Sequence, residues 1–192
     1  YIAGEVCATP QRVTLTDEYG PVDITLLPFV KPAMMTPFLG ERPANTDAAI
    51  AAALAALPPD TARRNVLVAH QFVTAGSQLP AVCDSEIAPV GGVENVDASR
   101  FDGYDYVALG HLHGPQRIGR DSVRYAGSPL KYSFSEVRHH KSAALVTLGA
   151  PGGQVEIELL PLAPLHDMRE VRGPIDALLS PQNVTDARMK KN

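Results

Sequence analysis

Two short apolar runs, each leading directly into a histidine, constrain the fold of this chain more than any other feature. Residues 65–69 read Asn-Val-Leu-Val-Ala and precede His70, and residues 104–110 read Tyr-Asp-Tyr-Val-Ala-Leu-Gly and precede His111. Both runs predict strands. The 65–69 run contains β-branched and small apolar residues and is bounded by polar ones, so we expect its strand to be buried on both faces. Loops that leave adjacent strands of an α/β sheet meet at one edge, so both histidines are expected there.

A third histidine lies close to the second in sequence. His111 and His113 are separated by one residue, and we expect Gly110 to let the backbone bend tightly before them. Histidine is the commonest nitrogen ligand of divalent transition metals. The pattern therefore predicts a metal site formed by His70, His111 and His113. The other interpretation is that they are ordinary loop or core residues.

The remaining elements are predicted from alternation, caps and breakers. Residues 13–16 and 22–27 predict a β-hairpin with Gly20-Pro21 in its turn. Asn45 or Thr46 is expected to cap an alanine-rich helix that runs to Leu57 and stops at Pro58. Further strands are predicted over 122–125, 143–148, 155–160 and 168–173, with a turn at Gly91-Gly92, a short helix near 97–101 and a final helix over 175–179.

Composition and charge narrow the class of protein. The chain has 192 residues, 45% of them hydrophobic, which suits one globular domain. No run reaches the roughly 18 apolar residues of a membrane span and no secretory signal opens the chain, so we predict a cytoplasmic protein with no membrane contact. The net charge of −4 gives no broad basic field for nucleic acid. A cluster of basic residues either contacts a DNA backbone or is a solvated surface: Arg117, Arg120, Arg124 and Lys131.

Other metal-ligand residue types carry weaker signals. Cys7 and Cys83 are far apart, and we expect both to be buried, reduced thiols. His139 and His140 are flanked by cations, which favours an exposed turn over a metal site. His166 is isolated and is expected to have a structural role.

Several separate motifs resemble one family. Residues 65–70 are similar to the fourth phosphoesterase motif, and Gly110-His111-Leu112-His113 is similar to the fifth, G-H-x-H. Residues 124–136, which contain Gly127-Ser128-Pro129, form the most specific match, and residues 26–32 add an upstream one. On these residues the chain resembles the bacterial SbcD nucleases, the metal-dependent phosphoesterase subunits that act with the SbcC ATPase in DNA break processing.

The resemblance implies a fold, a cofactor and partners. It implies the C-terminal part of a calcineurin-like metallophosphoesterase β-sandwich flanked by helices, of four-layered α/β/β/α build when whole. Residues 1–165 would belong to the nuclease domain, and residues 166–192 to the start of a capping domain or a truncated tail. It further implies a two-metal Mn²⁺ site in which His70 and His111 bind one ion and His113 the other. The implied partners are DNA and an SbcC-type ATPase, with a homodimer as a further option.

The same comparison shows which parts of the family pattern are missing. The D-x-H, G-D-x-x-D and G-N-H-D motifs do not occur in this sequence, and the chain opens at Tyr1 without an initiator Met. We therefore expect the N-terminal half of the domain to be absent, assign no catalytic residue, and expect the isolated chain to be inactive, because two-metal hydrolysis needs carboxylates that hold both ions. Two alternatives stay open: another calcineurin-like phosphodiesterase or phosphatase, and a catalytically silent segment acting in folding or partner contact.

Overall fold

A mixed six-stranded sheet forms the centre of the fold. The computed structural model describes residues 1–86 and 94–182 of the chain. The sheet contains, in chain order, β1 (Gln11–Asp17), β2 (Gly20–Leu27), β3 (Arg64–His70), β6 (Tyr106–Gly110), β7 (Gln116–Ile118) and β8 (Arg120–Tyr125). Two short strands, β4 (Val73–Thr74) and β5 (Val96–Asp97), pair with each other outside it. The protein is therefore of the α/β class.

The order of the strands decides where the histidines lie. The sheet runs β1-β2-β3-β6-β8-β7, in which β2, β3, β6 and β8 are parallel and the two edge strands are antiparallel. In the register of β3 and β6, His70 is opposite Gly110. Because parallel strands end at the same edge, the loops that follow β2, β3 and β6 meet there.

Helices cover one face of the sheet. The first helix, α1 (Pro32–Leu39), begins at a proline and is followed by Gly40 as its C-cap. The second, α2 (Thr46–Ala55), is capped by Asn45, whose side chain accepts a hydrogen bond from Ala48 N at 2.8 Å. The predicted cap of α2 is confirmed. Apolar side chains from these helices pack against alternate residues of the parallel strands: Met35, Ala49, Ile50 and Ala53 against Leu27, Leu67, Ala69, Val107, Leu109, Val123 and Tyr125.

The C-terminal part adds a hairpin. Strands β9 (Ser142–Leu148) and β10 (Val155–Pro161) pair in antiparallel fashion, as the sequence predicts, and a short 3-10 helix spans Ala98–Phe101. The last helix, α3 (Ile175–Leu178), has no buried residue. In the part of the chain that the structure describes, no helix has the length and hydropathy needed to cross a membrane.

Three predictions of local structure are wrong. The strand β3 is not buried on both faces, because the helices cover one face only and Val68, on the other, is 41% exposed. The turn of the first hairpin consists of Glu18 and Tyr19, so Gly20 already belongs to β2. Residues 168–173 form no strand, since no neighbouring strand pairs with them. The predicted turn at Gly91-Gly92 lies outside the described residues.

Candidate metal centre

His70 and His111 face each other at the edge where the parallel strands end. His70 is the last residue of β3, and His111 immediately follows β6. Their ring centroids are 5.4 Å apart and their ring planes are nearly perpendicular, at 84°. The sequence-based expectation that two strand ends bring these two histidines together is met by this geometry.

The backbone around His111 differs from the expected bend at glycine. Gly110 stays in the strand, and it is His111 itself that has a positive φ, of 111°. Among the described residues no other non-glycine residue has a positive φ. The need for Gly110 is steric instead, because a Cβ at this position would lie 2.8 Å from His70 Nδ1. The glycine thus makes room for one histidine while the next residue carries the backbone strain.

Two aromatic side chains contact the His70–His111 pair, in which His70 is exposed and His111 is partly buried. The ring of Phe29 stacks on His111 with centroids 6.3 Å apart, and Phe72 meets the same imidazole edge-on at 6.2 Å. Burial lowers the pKa of His70, and burial together with the nearby His70 and His113 lowers the pKa of His111. Both rings are therefore neutral near pH 7, which is the form that binds a metal ion.

The loop after His70 is held by a buried tyrosine. The hydroxyl of Tyr125 donates to Gln71 O at 2.7 Å and accepts from Val73 N at 2.8 Å. Tyr125 is fully buried, and this burial raises the pKa of its hydroxyl, so the group stays protonated and can donate. The turn that follows β3 is fixed by these two bonds.

His113 lies in a different, more polar environment. Its Nδ1 is 3.0 Å from Glu136 Oε1, and Glu136 is completely buried. The other carboxylate oxygen of Glu136 accepts from Lys141 Nζ at 2.6 Å, and that lysine side chain is only 3% exposed. Burial alone would raise the pKa of Glu136, but the hydrogen bonds from Lys141, His113 and Ser85 outweigh it and lower the pKa to about 2.

A second carboxylate ties the backbone of His113 to a neighbouring loop. Glu86 accepts from the backbone N–H of His113 through Oε1 and from Cys83 N through Oε2, the latter at 2.6 Å. Potential ligand atoms of Cys83, Glu86 and His113 all lie within 4.8 Å of one another. However, the hydroxyl of Ser85 lies 3.1 Å from Cys83 Sγ and 3.3 Å from His113 Nδ1, so it already links these two residues.

The three predicted ligands are thus placed in two settings. His70 and His111 form a ring pair beside Phe29 and Phe72, whereas His113 is held through Nδ1 by a buried carboxylate. His113 is close enough to His111 to lower its pKa. That all three serve a common pair of ions stays a prediction.

Two of the four residues in the predicted basic cluster, Arg120 and Lys131, form hydrogen bonds within the protein. Arg120 Nη2 donates to Phe101 O and Tyr104 O, both at 2.8 Å. Lys131 Nζ donates to Val137 O at 2.9 Å and also pairs with Asp167. These two residues therefore stabilise the fold. Arg117 forms an exposed ion pair with Asp121.

The remaining cysteines and histidines only partly match the burial expected from the sequence. Cys83 is buried as expected, but Cys7 is exposed. His140 is exposed, whereas His139 is half-buried with its ring 3.3 Å from the point where a Cβ on Gly114 would lie, so the predicted exposed turn is only partly correct. His166 is exposed. No protein-family model matches the chain.

Sequence reasoning missed the polar support of His113. Four polar residues that are distant in sequence contact the ring or the backbone of His113. They are Ser85 and Lys141, 28 residues away, Glu86, 27 residues away, and Glu136, 23 residues away. No local spacing reveals such contacts. The one available signal was Glu136, the last residue of the most specific family-like segment.

Proposed function

We propose that this chain is the C-terminal part of the nuclease domain of an SbcD-type, Mn²⁺-dependent phosphodiesterase that hydrolyses DNA. The observation that carries the proposal is the pairing of His70 with His111 across the ends of two neighbouring parallel strands. The G-H-x-H motif and the segment 124–136 support it. The calcineurin-like β-sandwich, the division at residue 165, a cytoplasmic location, an SbcC-type partner and a homodimer belong to the same proposal.

The donor atoms fit a divalent transition-metal ion. Neutral imidazoles at His70 and His111 are competent ligands, and His113 has Nε2 available because Nδ1 is engaged by Glu136. Imidazoles alone favour zinc, copper, iron or nickel, whereas manganese prefers additional oxygen ligands. The choice of Mn²⁺ therefore rests on the family resemblance.

The residues of this chain would bind and orient the ions. When bound, a divalent ion supplies Lewis-acid polarisation of a phosphate and lowers the pKa of a bound water. The rings of Phe29 and Phe72 pack against the His111 imidazole and restrict its orientation. His113 is held separately, through the contact of its Nδ1 with Glu136.

The contacts of two carboxylates favour a catalytically silent role for the isolated chain. The two carboxylates next to His113 are both engaged: Glu86 by two backbone N–H groups and Glu136 by Lys141, Ser85 and the imidazole. Among the described residues, neither is left to bridge a pair of ions. The chain by itself would then contribute folding or partner contacts, and chemistry would need the carboxylate motifs that this sequence lacks.

The first test is cleavage by the isolated chain. We expect little or no cleavage of linear duplex or hairpin DNA with Mn²⁺ present, because imidazoles without a bridging carboxylate do not assemble a metal pair. Robust cleavage that His111→Ala abolishes would show that no further motif is required. Cleavage that His111→Ala leaves unchanged would trace to a contaminant.

The second test uses the complete protein that contains this segment. His113→Ala is expected to abolish Mn²⁺-dependent cleavage while DNA binding in a gel-shift assay stays nearly intact, because backbone contacts supply affinity and the ions supply chemistry. The matched control is His166→Ala, which changes an exposed histidine outside the site. Cleavage at the parent rate by His113→Ala in limiting Mn²⁺ would remove this histidine from the ligand set and the proposal with it.

A further inference from the structure

Glu136 contacts the ring of His113, and the proposed function assigns this carboxylate no part. The carboxylate of Glu136 is fully buried and lies 3.0 Å from His113 Nδ1. Metal-binding histidines commonly donate their second ring N–H to a carboxylate, which fixes the tautomer and the ring orientation. We propose that Glu136 is a positioning residue that keeps the proton of His113 on Nδ1, so that Nε2 is the nitrogen offered to a ligand.

The direction of the hydrogen bonds supports this assignment. An ionised carboxylate only accepts, and Glu136 is kept ionised by Lys141 Nζ at 2.6 Å, in a pair that is almost entirely shielded from water. The Ser85 hydroxyl donates to the same Oε1 at 3.1 Å. The proton between His113 and Glu136 must therefore come from Nδ1.

The backbone of His113 is anchored by the same group of residues. Its carbonyl oxygen accepts from Lys141 Nζ at 2.9 Å and from Ser128 N at 3.1 Å. Gly127 allows this approach, because it has a φ of 79° and a Cβ there would lie 2.6 Å from His113 O. The Gly127–Glu136 segment, the most specific part of the sequence, thus supports both the backbone and the ring of one histidine.

A direct metal site at Cys83, Glu86 and His113 is the competing interpretation. It requires the Ser85 hydroxyl to leave its place beside Cys83 Sγ and His113 Nδ1. It also requires Nδ1, if that is the nitrogen used, to give up its bond to Glu136. Because the contacts present already satisfy these atoms, they favour the positioning role.

The experiment reads the tautomer of His113 directly in the metal-free chain. Long-range ¹H–¹⁵N correlation spectra distinguish a ring protonated at Nδ1 from one protonated at Nε2, and His113→Ala assigns the signals. We expect Nδ1–H in the wild-type chain at pH 7.5. A wild-type ring protonated at Nε2 overturns the proposal.

Two double variants differ only in the acceptor at position 136. Glu136→Gln with Lys141→Met keeps an oxygen that accepts from Nδ1, and Glu136→Met with Lys141→Met removes it; neither leaves a buried charge unpaired. We expect Nδ1–H in the glutamine variant and loss of the fixed tautomer in the methionine variant. Retention of Nδ1–H in both overturns the proposal.

A further variant covers the case in which the methionine protein does not fold. Ser85→Ala removes the other hydrogen-bonding group described beside His113 Nδ1 and leaves Glu136 in place. Retention of Nδ1–H in Ser85→Ala supports Glu136 as the acceptor that sets the tautomer. Loss of Nδ1–H in Ser85→Ala would show that Ser85 sets the tautomer of His113, which overturns the proposal.

The ligand role of His113 is the one respect in which this inference rests on the proposed function, and it is measured separately. Titration with Mn²⁺ is expected to show about 10- to 100-fold weaker binding in the methionine variant than in the glutamine variant. Absence of Mn²⁺ binding in every form, with Nδ1–H intact, would count against the proposed function and leave the positioning role standing. Equal Mn²⁺ binding by both variants would separate the tautomer from ion affinity and refute the inference.

Discussion

Lys141→Met is expected to destabilise the fold by about 3 kcal/mol at pH 7, because it leaves the Glu136 carboxylate buried without its cation. The pKa of Glu136 falls from an ordinary 4.5 to about 2 in the folded chain. Since one pKa unit corresponds to about 1.4 kcal/mol, this depression amounts to roughly 3 kcal/mol, to which Lys141, His113 and Ser85 all contribute against the cost of burial. Breaking a buried pair by removing one partner costs about 3–5 kcal/mol, which agrees. The free energy of unfolding, measured by urea denaturation, tests this.

The dependence on pH separates charge from packing. A carboxyl group whose folded pKa is depressed contributes stability that is complete above its unfolded pKa, near 4.5, and is lost as the pH falls towards about 2. In Lys141→Met the same group becomes protonated more readily, which relieves its penalty. The stability gap between wild type and Lys141→Met should therefore narrow between pH 5 and pH 2.5.

Two comparisons make the result decisive. Adding Glu136→Gln to Lys141→Met removes the unpaired charge and should restore about 1–2 kcal/mol. Arg117→Met breaks an exposed pair, whose partners are 64% and 71% exposed, and should cost less than about 1 kcal/mol. A gap that stays constant with pH, or no recovery in the double variant, would refute the electrostatic reasoning and assign the loss to packing of the lysine stem.

Two further substitutions test the local geometry. Gly110→Ala should destabilise the chain by about 1–3 kcal/mol and shift the NMR signals of the His70 ring, because the new Cβ would lie 2.8 Å from His70 Nδ1. The control, Gly149→Ala, places a Cβ with nothing within 4 Å and should leave thermal unfolding and those signals unchanged. Equal behaviour of the two variants would contradict the steric argument. Asn45→Ala should lower the free energy of unfolding by about 1 kcal/mol through loss of the 2.8 Å bond to Ala48 N, and an unchanged urea midpoint would show that this cap is not needed.

The sequence predicts the position of His70 and His111 well because the signal is local. Each follows an apolar run long enough to be a strand, and neighbouring parallel strands end at one edge. The exposure of Val68 was not predictable in the same way. Residues 66–69 are all apolar and show no alternation, so the sequence does not indicate that only one face of this strand is covered.

The support of His113 was hidden for a different reason. Glu136 contacts His113 across 23 residues of sequence, and a glutamate is normally read as a surface residue. Its burial follows only from the position of Lys141, which the loop around the 3-10 helix Phe134–Glu136 brings beside it. Partners of this kind depend on the tertiary arrangement of loops, for which the sequence carries no periodic signal.

The backbone of His111 has a consequence for how this position tolerates mutation. An L-amino acid at a φ of 111° destabilises the folded state, and glycine is the residue that adopts this conformation without strain. At position 111, folding stability favours glycine, whereas a metal-binding role requires the imidazole of histidine. Under selection for thermal tolerance alone, glycine would be the favoured replacement, whereas a requirement for the imidazole would keep histidine in spite of the strain.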